Sequence, residues 1–402
     1  MGRHCRPIRG GVRRRVSPAG AGNRCVLLLP GLLSDDSRSM KRYAEELHAA
    51  LRASTSDGLA IAMERPPDRR YLSRLADANG ARRIDRAWCR WVTYPGVLKQ
   101  RSAAVFHILD QGYAHLIRSL DPARTIVTCH DIIPLLAAQG AIPSPVSARA
   151  AWIFRRKIAY LTKARRIIAV STATKVTLER YTAVDPSRVT VVPNGLNATF
   201  RFLPDARATR RAAAGLRDTT PVVLQVATAG RYKNTATLLH AIAGLRPRVP
   251  DLVLLRVGAP LLPDEAHLAR TLGVADCLRH LGDVATDQLL TEWYNAADVL
   301  VFPSAWEGFG WPPLEAMACG TPVVAFDIPP VAEVVGTAGL LVPPGDMSAL
   351  AAATERILTD TGLAAELRQR GRQRAAQFTW TATAARTATI YAELLADTRS
   401  RQ

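Results

Sequence analysis

The chain has 402 residues, of which 48% are hydrophobic and 22% are charged, and its formal net charge is +19. This length predicts two domains rather than one, and the balanced composition excludes a largely disordered chain. The six cysteines are scattered without zinc-ligand spacing, and no apolar run reaches the roughly 18 residues that a membrane-spanning helix needs. A cytoplasmic protein with free thiols is therefore expected.

The predicted elements begin after a basic segment. Residues 1–23 are rich in arginine and glycine and lack apolar periodicity, which predicts a flexible tail. From Val26 onward, short apolar runs alternate with segments of helical spacing, the pattern of a parallel sheet with crossover helices. This alternation ends near Gly195, a polar stretch at 199–221 is interpreted as a linker, and the alternation begins again at Val222. Two α/β domains, at 24–197 and 198–378, are therefore predicted.

The segment from Pro303 to Pro322 joins two carboxylates to a glycine turn and a helix start. Seven residues separate Glu307 from Glu315, and a Gly-Phe-Gly turn follows Glu307. The pair Pro312-Pro313 predicts a helix that runs from about Pro312 to Cys319. Its N-terminus would offer N–H groups and a positive dipole end to a phosphate, and a carboxylate inside it could bind a diol.

The same segment resembles the signature of the retaining glycosyltransferases of family 4. Every fixed position of that signature is matched between Glu307 and Val324. The resemblance implies the GT-B fold, with two facing Rossmann-like doubly wound parallel-sheet domains. It also implies transfer of a hexose from a nucleotide-diphosphate sugar, with the acceptor on the first domain and the donor on the second. By the same resemblance, a final helix at 379–402, opened by Phe378-Thr379-Trp380, packs back on the first domain.

Two cations are candidates for binding the leaving diphosphate. Arg231 and Lys233 follow the apolar strand that starts at Val222, and ligands bind at the carboxyl ends of such strands. Fixed cations there would stabilise the charge that develops in the transition state. An exposed surface pair is the alternative that the residues alone leave open. The loop resembles the family's Arg-Lys-Asn element, although Tyr232 stands between the two cations here. Lys233 therefore matches the lysine of that element more closely than Arg231 matches its arginine.

The remaining site residues are assigned from the resemblance. It implies that Glu315 binds the ribose hydroxyls and that Glu307 and His130 lie near the reacting sugar. For His130, which matches a His-Asp-x-x-Pro element, a buried structural histidine is the alternative, and Asp131 is interpreted as its structural partner. Further donor contacts are expected from the backbone of the glycine turn, Gly308, Phe309 and Gly310, and from Val284 in the segment that resembles the family's base-binding segment. Gly31 is expected to contact the donor where the family often has a Gly-Gly loop, of which only this one glycine is present here. Ser34 is expected to cap the helix after that loop.

No Asp-x-Asp metal motif accompanies these residues, so catalysis without a metal or other cofactor is expected. The resemblance favours GDP-mannose as donor and a polysaccharide or lipid-linked glycan as acceptor. A nucleotide-sugar epimerase and a non-enzymatic basic scaffold that binds anionic polymer remain alternatives. The positive charge leaves open compositional bias or peripheral contact with the anionic inner face of the plasma membrane. A nucleic-acid partner is not expected, because no nucleic-acid-binding motif is present.

Overall fold

The computed structural model describes residues 25–32, 38–54, 59–67, 79–142 and 146–399, with side chains up to residue 397. The predicted basic tail and Ser34 lie outside these ranges. The described residues form two six-stranded parallel sheets flanked by helices, which confirms the prediction of two α/β domains. None of the described helices combines the length and apolarity needed to cross a membrane.

The first sheet has the strand order β2-β1-β3-β4-β5-β6. Its strands are β1 Cys25–Leu29, β2 Ala60–Met63, β3 Val105–Ile108, β4 Thr125–Cys129, β5 Arg166–Ala169 and β6 Val189–Val191. The central strands β3 and β4 are buried along their whole length because helices cover both faces of the sheet. These helices are α1 Arg38–Ser54, α2 Asn79–Trp88, α3 Tyr94–Leu98, α4 Ile133–Ala138, α5 Ala148–Ala159 and α6 Thr172–Tyr181.

The second sheet has the order β12-β11-β10-β7-β8-β9. Its strands are β7 Val222–Ala227, β8 Val253–Gly258, β9 Leu278–His280, β10 Val299–Phe302, β11 Val323–Phe326 and β12 Leu340–Val342. Its helices are α7 Ala206–Ala213, α8 Thr235–Leu245, α9 Pro263–Thr271, α10 Asp287–Ala296, α11 Trp311–Ala318, α12 Pro329–Val335, α13 Met347–Thr359 and α14 Thr361–Ala375. The stretch interpreted as a linker thus contains α7, whose Arg211 is buried and paired with Asp298 at 2.7 Å.

The final helix, α15 Trp380–Arg399, packs against α1 of the first domain. Its Trp380, Ile390 and Tyr391 join the core beneath the first sheet. The Tyr391 hydroxyl lies 2.6 Å from Nδ1 of His107, and Nε2 of His107 lies 2.8 Å from the Thr128 hydroxyl. The last helix is therefore fastened to the first sheet by a buried polar chain as well as by apolar packing.

Candidate active site

The strand order of the second sheet places two loops side by side. Read from β9, the order is β9-β8-β7-β10-β11-β12. The strands are parallel, but the chain adds β8 and β9 on one side of β7 and then β10 to β12 on the other, so the strand order reverses between β7 and β10. Doubly wound sheets bind ligands at this switch point, beyond the carboxyl ends of the strands. The loop after β7 carries Lys233, the loop after β10 carries Glu307, and the Ala305 N–H donates to the Tyr232 carbonyl at 2.8 Å.

Lys233 and Glu307 form an ion pair at this switch point. Nζ of Lys233 lies 2.5 Å from Oε1 of Glu307, and the two side chains are only 11% and 13% exposed. Burial alone would lower the pKa of Lys233, but Glu307, Tyr232 and Asp131 together raise it above its ordinary value. The next residue, Asn234, holds a left-handed φ of 54° that side chains rarely adopt. The loop therefore presents a permanently charged ammonium in a fixed backbone geometry.

The glycine turn after Glu307 meets the first domain directly. A Cβ on Gly308 would lie 1.9 Å from the His130 carbonyl oxygen, so only glycine fits there. The Gly308 carbonyl accepts hydrogen bonds from the hydroxyls of Ser171 at 2.7 Å and Thr174 at 3.1 Å. The structure thus brings Glu307 and His130, which belong to different domains, to the same cleft.

His130 is buried at the end of β4. Its Nε2 lies 2.9 Å from the Leu109 carbonyl, its backbone N–H donates to Gln111 at 2.9 Å, and its ring meets Tyr43 edge-on at 4.6 Å. Burial lowers the pKa of His130, against the opposing effect of Asp110. The imidazole is therefore neutral at physiological pH. Its Nδ1 makes no hydrogen bond within the described part of the chain.

Asp131 is a third acidic residue of the cleft, which the sequence interpretation treated as structural only. One of its oxygens does accept the Ile133 N–H at 3.0 Å at the start of α4. Burial, with help from Asp110 and Glu307, also raises the pKa of Asp131 to about 6, and Lys233 opposes that rise. The sequence feature that could have indicated this role is the position of Asp131 directly after His130. Asp131 belongs with Lys233 and Glu307 as one charged group.

Glu315 lies inside α11 and is 3% exposed. Its Oε2 accepts the Tyr294 hydroxyl at 2.8 Å, and its Oε1 accepts a hydrogen bond from Arg42 of the first domain. Arg42 also pairs with Asp287 at the start of α10. Burial raises the pKa of Glu315, while Arg42 and Tyr294 oppose this. Arg42 could not be predicted as a partner of Glu315, because this contact joins residues 273 positions apart.

The other predicted residues occupy different surroundings. Arg231 is exposed and pairs with Asp264 at 2.6 Å, away from the Lys233–Glu307 pair. The ring of Phe309 is buried against Phe378 at 6.0 Å, and Gly310 holds a φ of 117° that glycine alone adopts readily. Val284 is buried in the second core, and Gly31 lies against the ring of Tyr113.

The donors at the start of α11 differ from those expected. The helix begins at Trp311, one residue before the predicted start. Pro312 and Pro313 carry no N–H, so the backbone donors nearest to the cleft are those of Gly308 to Trp311. Among the described residues, no group of three or more His, Cys, Asp or Glu side chains could hold a metal ion.

Two family models match the chain and together account for most of it. The model "Glycosyl transferases group 1" matches residues 206–374, and the model "Glycosyltransferase Family 4" matches residues 40–200. The described second sheet lies within or beside the first match, and most of the first sheet lies within the second. The two matches therefore correspond to the two domains that face each other across the cleft.

Named relatives are similar over part of their length. The D-inositol 3-phosphate glycosyltransferase of Streptomyces bingchenggensis is 38% identical over 245 residues, which are 58% of this chain and 53% of that protein. The serotype-specific mannosyltransferase WbdA of Escherichia coli is 29% identical over 269 residues, which are 65% of this chain and 32% of that protein. The chain thus spans about half the length of the first of these relatives and a third of the second.

Solved structures share the fold over almost the whole chain. Sucrose-phosphate synthase from Thermosynechococcus elongatus superposes with a TM-score of 0.74 at 25% identity, covering 93% of this chain and 100% of that one. HepE of Anabaena, solved in complex with UDP and glucose, superposes with a TM-score of 0.69 at 18% identity, covering 92% of this chain and 100% of that one. With its two matched domains and this architecture, the chain belongs to the family 4 glycosyltransferases of the GT-B fold.

Proposed function

We propose that this glycosyltransferase moves a hexose, with mannose favoured, from GDP-mannose to a polysaccharide or lipid-linked glycan, with retention at the anomeric carbon and without a metal ion. One observation carries the proposal: the Lys233–Glu307 pair lies at the switch point of the second sheet, and the residue after Glu307, Gly308, packs directly against the backbone of His130 in the first domain. The similarity to the mannosyltransferase WbdA and the His130-Asp131 pair support mannose as the sugar.

Departure of the diphosphate develops negative charge, which a cation at that position would stabilise. The Lys233 ammonium is held in place before the reaction, and it is charged throughout the physiological pH range because its pKa is raised. Such a prearranged charge stabilises the departing diphosphate more than the intact donor. We assign to Lys233 the role that a divalent cation has in metal-dependent transferases, and to the backbone N–H groups of Gly308 to Trp311 a supporting role.

The sugar would lie between Glu307 and His130. The neutral imidazole of His130 has Nδ1 available for a hydrogen bond with a sugar hydroxyl. The Glu307 carboxylate is held by Lys233 and can stabilise positive charge at the anomeric carbon. In the proposed mechanism the acceptor hydroxyl attacks on the face from which the diphosphate departs and gives its proton to that diphosphate.

The proposal is tested by incubating the purified chain with GDP-mannose and a glycan acceptor in excess chelator. We expect transfer to continue undiminished, and we expect proton NMR to show the donor's anomeric configuration in the product. An inverted product would overturn retention, and activity restored only by magnesium or manganese would overturn metal independence. Conversion of the donor into an epimer without an acceptor would favour the epimerase alternative, and no donor turnover at all would favour the scaffold.

Peripheral membrane contact is the second part of the proposal. Ile84, Trp88 and Val92 recur every four residues along α2 and the helical turn that follows, and they are 56%, 52% and 46% exposed. Arg83 and Arg86 are exposed on the same helix. Apolar side chains flanked by arginine suit an anionic bilayer, where rings and aliphatic groups enter the interface and guanidinium groups meet phosphates. We propose that the chain works at the inner face of the plasma membrane through this helix.

A further inference from the structure

A group of cationic and aromatic side chains in the first domain is not used by the proposed transfer step. It consists of Arg90, Trp91, Tyr113, His115 and Lys157, and it is called here the Arg90–Lys157 cluster. Lys157 belongs to α5, Arg90 and Trp91 to the helical turn Cys89–Thr93, and the other two to the 3₁₀ segment Gln111–Ser119. Three separate segments of the chain thus converge here.

Lys157 is the unusual member of this cluster. The residue is only 8% exposed, and it makes no hydrogen bond or ion pair within the described part of the chain. Its Nζ lies 5.7 Å from the centroid of the Trp91 ring. A buried ammonium without an anion is costly, and such groups are normally paired. Among the described residues, Lys157 therefore has no anion in direct contact, and Asp110 acts on it only from a distance.

Arg90 adds a second cation with spare hydrogen-bonding capacity. Its guanidinium stacks 4.3 Å over the Tyr113 ring and donates to the Tyr113 hydroxyl at 2.7 Å, but its Nε is buried with no hydrogen-bond partner among the residues that the structure describes. In the same described ranges, Nδ1 of the buried His115 has no hydrogen-bond partner either, while Nε2 lies 3.1 Å from the Arg90 carbonyl. Burial and the nearness of Arg90 lower the pKa of Lys157 to about 8, against the opposing effect of Asp110. The two cations repel each other where they stand.

The cluster lies at the switch point of the first sheet. That sheet has the order β2-β1-β3-β4-β5-β6, so the chain adds β2 on one side of β1 and β3 on the other. Doubly wound sheets bind ligands where the strand order reverses in this way, here between β1 and β3. Tyr113 packs on Gly31, just after β1. Gln111, two residues before Tyr113, accepts the backbone N–H of His130 at 2.9 Å. A ligand in the cluster would therefore be a neighbour of the reacting sugar.

We propose that the Arg90–Lys157 cluster binds the phosphate group of the acceptor. This inference rests on the proposed function, since it names the chemistry of the acceptor that the first domain receives. A phosphate monoester brings two negative charges and three acceptor oxygens, enough to engage the Lys157 ammonium and the free Nε of Arg90 together. The donor diphosphate is already provided for by Lys233, and no described contact joins Arg90 or Lys157 to the second domain.

The test is a calorimetric titration of the full chain with glycerol 3-phosphate, with the donor site first saturated by GDP or by whichever nucleoside diphosphate binds most tightly. Lys157→Met removes the ammonium but keeps an unbranched side chain that is only one atom shorter. Lys163→Met is the matched control, because Lys163 also lies over an aromatic ring, Tyr160 at 5.3 Å, but on the exposed surface. We expect Lys157→Met to weaken glycerol 3-phosphate binding about tenfold to hundredfold, and Lys163→Met to leave it unchanged.

Thermal unfolding without ligand gives an independent readout. If Lys157 stabilises the fold, Lys157→Met should be less stable than the parent chain. If Lys157 is instead an unpaired buried cation that binds a ligand anion, the variant should be at least as stable as the parent. Arg90→Lys, which keeps the charge but loses the planar fork, should also weaken glycerol 3-phosphate binding.

The outcomes separate this inference from the proposed function. Equal glycerol 3-phosphate affinity in Lys157→Met and the parent chain would overturn the inference, and so would a parallel loss of nucleoside diphosphate binding, which would assign the cations to the donor. No nucleoside diphosphate binding by the parent chain would instead count against the proposed function.

Discussion

Replacement of Gly308 by alanine tests whether catalysis depends on the close approach of the two domains. The added Cβ would lie 1.9 Å from the His130 carbonyl oxygen, so the turn must retreat by about 1.5 Å to reach the 3.4 Å of ordinary contact. Because a displacement of about 1 Å at a reacting centre costs about 10²-fold in rate, we expect the turnover of Gly308→Ala to fall at least a hundredfold.

Nucleotide binding should respond differently. The proposed donor contacts of Lys233 and Glu315 remain, and only those of the displaced turn are weakened, so the dissociation constant of GDP for Gly308→Ala should rise by no more than about tenfold, equivalent to roughly 1.4 kcal/mol. The assay is the initial rate of sugar transfer at saturating donor, alongside calorimetric GDP titration.

Gly244→Ala is the matched control for this experiment. Gly244 lies inside α8 with no atom within 4 Å of an added Cβ. Alanine there should leave the rate unchanged and stabilise the helix by about 0.5–1 kcal/mol. A Gly308→Ala variant with the parent rate would refute the reasoning, because it would show that the contact between Gly308 and His130 is not part of the working geometry.

Three further predictions follow from other contacts. Lys233→Met should lower turnover about 10²–10³-fold through loss of the prearranged charge, whereas Lys175→Met, which removes a partly exposed i,i+4 partner of Glu179, should not. His107 is buried with its pKa lowered to about 3, so the free energy of unfolding should fall by up to about 4 kcal/mol as pH decreases from about 6.5 to 3, and His107→Gln should flatten this slope in urea titrations. Trp88→Ser should reduce sedimentation with anionic vesicles, whereas Phe202→Ser on the second domain should not.

Each of these has an outcome that contradicts it. Parent-like turnover in Lys233→Met would remove Lys233 from the site. The direction of the acid effect follows from its sign: the unfolded chain binds a proton on His107 between the two pKa values and the folded chain does not, so stability is lost on acidification. An unchanged slope in His107→Gln would assign that loss to other groups. Equal sedimentation of Trp88→Ser and the parent chain would exclude α2 as the membrane contact.

The alternation of apolar strands and helices was enough to predict two parallel-sheet α/β domains, and the family resemblance added that they are doubly wound. The strand order also explains why Lys233 and Glu307 are neighbours. The loops that carry them, after β7 and β10, meet at the switch point wherever this strand order occurs. Local sequence patterns could supply this much because strand ends, glycine turns and helix starts are encoded over a few residues.

The direction in which Arg231 points could not be read from its spacing. Arg231 and Lys233 lie on a 3₁₀ turn with three residues per turn, so residues two apart point away from each other. Lys233 accordingly faces Glu307, while Arg231 pairs with Asp264 on the exposed side. The inserted Tyr232 was visible in the sequence, but its effect depends on the turn type.

The partners of Glu315 were also beyond sequence reasoning. Arg42 reaches Glu315 from a helix in the other domain, and the angle at which two domains dock is not encoded in the periodicity of either one. Lys157 is a similar case, since its lack of an ion-pair partner in the described part of the chain becomes significant only when its burial is known.

The chain crosses between its two halves twice, at adjacent points. The Leu196 N–H donates to the Phe378 carbonyl at 3.0 Å, and Leu196 bridges to Thr379 in parallel register. A Cβ on Gly195 would lie 2.5 Å from the Trp380 backbone nitrogen, so the outgoing and returning segments run in contact. Two neighbouring tethers permit bending about the line that joins them and resist twisting. We therefore expect a hinge motion about a single axis, so that each closure brings the facing surfaces of the two domains back into the same alignment.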